Sequence, residues 1–143
     1  MKYNQIAWLG KPENRILNIR AFRKYIDTLS LSDAISATQS NWNASPRINK
    51  NEFNLANVEE WPTPWDLFSQ PVYCSNAQIL GAFYTLVLSD HAREHAIEIV
   101  FCNDAVFGEI GSIIVDRDKL PPLDESSITR IIAANDISHK LGD

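Results

Sequence analysis

Three features of the sequence predict an α+β domain. Apolar residues recur at helical spacing through the N-terminal half. A nearly all-apolar helical stretch then occupies residues 75–89. Two β-branched runs follow it, at 96–102 and 112–116. The expected arrangement has N-terminal helices, a central buried helix packed on a small antiparallel sheet, and a C-terminal helix. The 143 residues make one domain, read here as an N-terminal arm over 1–18 followed by the domain proper over 19–143.

The arm mixes Trp8 and Leu9 with breakers at Gly10 and Pro12. Such an arm packs on its own domain or docks on a neighbour. Residues 19–43 hold two helices. Ile19, Phe22, Tyr25, Ile26 and Leu29 mark the first. Ser30 or Ser32 caps the second, with Asp33 in its first turn and Ala34, Ile35, Ala37 and Thr38 along it.

Residues 44–60 are polar and rich in Asn, and read as a long surface loop. Arg47 and Phe53 in this loop, with Trp8 and Leu9 of the arm, are the candidate partner contacts. In "WPTPWDLFSQP", Pro64 suits the first turn of a short helix through Leu67 and Phe68. Trp61 and Trp65 are sized to anchor that corner on the core.

Ser75 or Asn76 caps the 75–89 helix, which is apolar almost all round and so is expected between layers. Gly81 costs about 1 kcal/mol inside a helix, which implies close approach by a neighbouring element. After the two strands, Asp124 caps a final helix over roughly 125–140, with Ile128, Ile131, Ile132 and Ile137 as its stripe.

If the strands pair so that His95 faces Asp116, then Ile97 faces Ile114, Ile99 faces Ser112 and Phe101 faces Ile110. His95 and Asp116 then meet at the hairpin's open end. A preceding helix whose start points at that end brings Cys74 to them. Cys74, His95 and Asp116 have the chemistry of a thiol triad. A helix N-terminus favours the thiolate, an imidazole takes the proton, and a carboxylate orients the imidazole. The plainer reading makes them a small core residue, a strand-end residue and a turn former. A one-residue slip in register turns Asp116 to the other face. Cys102, in mid-hairpin, reads as packing.

"HAREH" (His91 to His95) fits the H-x-x-E-H zinc pattern. Zinc needs both histidines on one helical turn and a further ligand downstream. The motif instead falls where helix gives way to strand, so no metal site is expected. There is no Gly-rich phosphate loop, and no cofactor is expected.

A net charge of −5 disfavours nucleic acid as a partner, although Lys11, Arg15, Arg20, Arg23 and Lys24 cluster early. Two cysteines are too few for a disulfide scaffold. No apolar run reaches membrane-spanning length. These features fit a cytoplasm, or a particle assembled there.

The order of cysteine at a helix start, histidine at the next strand and aspartate at the end of the following one resembles the transglutaminase-like branch of the papain-like fold, over residues 61–118. That resemblance implies Cys74 as nucleophile, His95 as base and Asp116 as orienting group. Val72-Tyr73 and Ala96-Ile97 depart from the residues usual beside the family's cysteine and histidine, and the spacing from Cys74 to His95 is short.

The block "WPTPWDLFS…YCSNAQILGAFYTLVLS" is similar to small proteins of tailed bacteriophages. This implies a structural or assembly protein of the virion, in head, neck or tail, whose partners are other virion proteins or further copies of itself. A Cys-His-Asp thiol hydrolase or acyl transferase, and a host-directed binding or inhibitor protein, are the alternatives.

Overall fold

The computed structural model describes residue 8 and residues 11–106, 108–119 and 127–141. Helix α1 (Arg15–Ile26) buries Arg15, Ile19, Phe22 and Ile26, a stripe at helical spacing. It begins four residues before Ile19, because Pro12 opens a tight turn that leads straight into it. Part of the expected arm therefore belongs to the first helix.

Helix α2 (Leu31–Asn43) is capped by Ser30, whose hydroxyl accepts the Asp33 N–H at 3.2 Å. Helix α3 (Pro64–Phe68) has Pro64 at its first position and Thr63 as its cap. Between α2 and α3 the 44–60 segment holds a single 3-10 turn, at Val58–Glu60, and an isolated parallel bridge from Arg47 to Tyr73. It is not loose. Tyr73 donates its N–H to the Pro46 carbonyl and accepts from the Ile48 N–H, and Trp61 Nε1 donates to the Leu55 carbonyl.

Helix α4 (Ser75–Val87) is the central rod, with ten of its residues buried. Its cap is Cys74, not Ser75 or Asn76. The Cys74 backbone is extended and its sulfur accepts the Ala77 N–H at 3.4 Å. Gly81 marks the close approach expected of it: a Cβ placed there would lie 2.5 Å from the Trp42 ring of α2.

The sheet has three strands, β1 (Ile97–Asp104), β2 (Gly108–Val115) and β3 (Ile128–Ala133), in the order β2-β1-β3, all neighbours antiparallel. Helix α4 packs on the side carrying Ile97, Ile99 and Phe101 of β1 and Ile113 and Val115 of β2. The chain's last helix, α5, is the short Ser138–Leu141.

Two expectations are corrected here. Residues 128–133, read as part of a helix, form β3. The Ile128, Ile131, Ile132 spacing suits either element. A run rich in β-branched residues beside the open edge of β1 finds its hydrogen bonds there, with Val100 opposite Ile131 and Ile99 opposite Ile132. Asp124, the expected cap, lies outside the described residues. The hairpin register also differs by one residue: Ile97 faces Val115, Ile99 faces Ile113 and Phe101 faces Gly111. The closing turn reaches Gly108, whose φ of +79° suits glycine and ends the turn opposite Asp104.

Candidate functional site

Asp116 follows β2 directly and is the one non-glycine residue with positive φ among the described residues, at +52°. Its N–H still donates to the Ala96 carbonyl at 2.8 Å, as the next rung of the ladder. The left-handed backbone then swings the carboxylate back across the hairpin mouth. One oxygen accepts the Ala96 N–H at 2.9 Å, and the other lies 2.6 Å from His95 Nδ1. The expected pair thus forms in spite of the slipped register, because Asp116 has left strand geometry.

The carboxylate sits below its ordinary range. The His95 hydrogen bond is the main cause and the Ala96 N–H the next, with Lys119 adding at 3.9 Å. A carboxylate at that distance accepts, so the imidazole carries its proton on Nδ1.

Cys74 does not join them. It is fully buried. The first turn of α4 lies at the closed end of the hairpin, where Ser75, Asn76 and Ile79 line one cavity with Phe101, Glu109, Ile110 and Gly111. A short link through residues 88–96 connects the other end of α4 to β1. The rod therefore runs antiparallel to β1. Cys74 and His95 stand at opposite ends of a 13-residue helix, a separation on the order of 20 Å. A thiol cannot pass its proton to an imidazole over that distance. The described residues lining the depression beside His95 (Ala92, Ala96, Ile97, Glu98, Ala133, Ala134 and Asn135) supply no other nucleophile. The His95–Asp116 pair acts as a clasp on the hairpin mouth.

The two histidines of "HAREH" are likewise committed apart. His91 Nε2 lies 2.9 Å from the Ile26 carbonyl, while His95 faces Asp116. Among the described residues no cluster of potential metal ligands occurs.

Trp8 is a core contact of its own domain. Its ring packs edge-on against Trp42 and Tyr73, at 4.9 and 5.5 Å between centroids, and its Nε1 donates to the Asn41 carbonyl. Leu9 lies outside the described residues. Arg47 is exposed and donates to the Ser75 hydroxyl at 2.7 Å. Phe53 is half-buried against the core, and its carbonyl accepts from the Asn76 amide.

Sequence reasoning missed Arg15. Counted there among surface cations, it is buried. It donates to the carbonyls of Trp8, Gln70 and Pro71, and its guanidinium lies 5.6 Å from the Trp8 ring and 5.7 Å from the Tyr73 ring. Its position in the Ile19, Phe22, Ile26 stripe, one turn before Ile19, was the available signal. The open cations of α1 are Arg20 and Lys24, beside the half-buried Arg23. Burial and the Arg20 charge lower the Arg23 pKa.

Neither a family model, nor a curated protein, nor a solved structure matches the chain.

Proposed function

We propose that this protein is a structural or assembly component of a tailed-phage virion, and that it works by surface contact without catalysis. One observation carries the non-catalytic part. Cys74, the nucleophile that a thiol enzyme would need, is a buried helix cap a helix length away from the His95–Asp116 pair. His91 and His95 are held by the fold in the same way, through Ile26 and Asp116. The virion assignment rests on the likeness of residues 61–89 to tailed-phage proteins. The ordered 44–60 loop, with Arg47 exposed on it, supplies contact surface.

Mass spectrometry of purified particles tests the role. The protein is expected in virions, or in assembly intermediates, at a fixed ratio to a head, neck or tail protein. Its absence from both sinks the reading. Turnover of ester or amide substrates that disappears on Cys74→Ser would favour the enzyme alternative.

A further inference from the structure

Of the sheet's two outer strands, β3 is guarded and β2 is not. Native edges are usually blunted by bulges, lysine, arginine or proline. The β3 pairing carries an irregularity at Phe101/Cys102, and the strand holds Arg130. Strand β2 reads Gly-Glu-Ile-Gly-Ser-Ile-Ile-Val, with Glu109 as its single charge and no proline.

The direction of its free hydrogen-bonding groups follows from the ladder. The Asp116 N–H reaches the Ala96 carbonyl, so the alternate β2 residues Ile114, Ser112 and Ile110 also bond inward to β1. By the same alternation the Phe101–Gly111 pair is non-bonded, and the Phe101 carbonyl faces β3, where it accepts from the Thr129 hydroxyl. Gly111 and Ile113, with Glu109 and Val115, therefore turn N–H and C=O groups outward. Two open cavities of about 320 and 540 Å³ border this edge on the helix side, and Gly111 lines both. The glycine is required by its own core, since a Cβ there would meet the Phe101 ring at 2.8 Å.

We propose that the β2 edge is a self-association surface, where a second copy pairs its own β2 antiparallel about a two-fold axis at Ser112. In that register Gly111 faces Ile113 of the other copy, twice, beside the cavities that border the edge on the helix side. On the opposite face Ile110, which is 38% exposed, meets Ile114 of the other copy, again twice. Glu109 meets Val115, so the two carboxylates stay at opposite ends of the new ladder. The sequence Ile-Gly-Ser-Ile-Ile is self-complementary about its serine.

The added area is modest. An eight-residue strand is about 27 Å long and a sheet layer about 10 Å thick, which gives about 540 Å² over both copies. That is below the roughly 1,000 Å² of a stable interface. The dimer is therefore weak and forms where copies are concentrated, as in an assembling particle. This deepens the contact-based role by naming one partner, and it fails separately from the virion assignment, which particle mass spectrometry decides.

Sedimentation across a concentration series into the millimolar range tests it. The mass of the purified chain should rise from 16.2 kDa toward twice that value. Ser112→Lys places two like charges face to face at the axis, on a side chain that is exposed in the monomer, and should hold the mass at the monomer value with an unchanged circular dichroism spectrum. In a Cys102→Ser background, Ser112→Cys should give a disulfide-linked dimer under mild oxidation. Non-bonded antiparallel pairs have Cα atoms about 4.5 Å apart, inside the disulfide range. Glu109→Cys should give none. A wild-type chain that stays monomeric throughout overturns the proposal. So does a dimer that persists in Ser112→Lys, or cross-linking at position 109 equal to that at 112.

Discussion

Replacing Gly81 by alanine separates the two forces that meet in α4. In an exposed helix the change stabilises by about 1 kcal/mol, because alanine is the better helix former. Here the new methyl would lie 2.5 Å from Trp42 Cε3 and Cζ3 and 2.6 Å from Cη2, against an ordinary carbon–carbon contact of about 3.5–4.0 Å. Helix and ring must separate by about 1 Å or more.

Trp42 has nowhere to go. Its Nε1 donates to the Thr85 hydroxyl at 3.0 Å, and Trp8, Tyr73 and Phe68 ring it at centroid distances of 4.9, 5.2 and 5.9 Å. Overpacking of this kind costs about 1–3 kcal/mol, and stretching the Trp42–Thr85 bond costs about another 1. Set against the helix gain, Gly81→Ala should destabilise by about 1–3 kcal/mol. Urea unfolding followed by tryptophan fluorescence measures it. The Trp42→Leu background should remove the penalty, so that Gly81→Ala becomes neutral or stabilising there. A Gly81→Ala chain more stable than wild type with Trp42 intact would refute the packing described here.

Two further substitutions test other joints. Asp116→Asn keeps a residue that tolerates positive φ but removes the charge facing His95. Because the folded carboxylate has a lowered pKa, wild type should exceed the variant in stability at neutral pH. That margin should vanish as the pH falls through the folded pKa, below the ordinary value near 3.8, and urea midpoints across pH check it. A margin that grows on acidification would contradict the clasp. Arg15→Met leaves the Trp8, Gln70 and Pro71 carbonyls without their donor and should cost about 2–3 kcal/mol, with a tryptophan emission change as Trp8 loosens.

What was legible in the sequence was local. Ser30 announces a helix start because its hydroxyl needs only the next turn, and Pro64 announces another because its fixed φ and missing N–H suit the first helical position. Gly81 announces a close contact because nothing else explains a glycine inside a buried helix. The His95–Asp116 pair was legible from strand spacing, although the register that predicted it was off by one. The left-handed turn at Asp116 made up the difference, and no residue pattern declares such a turn at an aspartate.

What was not legible depended on tertiary choice. Residues 128–133 satisfy helix and strand periodicity alike until β1 offers them an edge. The direction of α4 along the hairpin, which decides whether Cys74 meets His95, is set by the short link from its end to β1. A cysteine cap also looks like nothing in a sequence, since Ser75 and Asn76 beside it are the commoner capping residues.

The reactivity of Cys74 tests the central account most directly. In a Cys102→Ser background, iodoacetamide near neutral pH should label the folded protein only at the slow rate set by transient opening, and His95→Ala should leave that rate unchanged apart from any loss of stability. Rapid labelling of the native chain, slowed by His95→Ala, would contradict it and restore the thiol to the pair at the hairpin mouth.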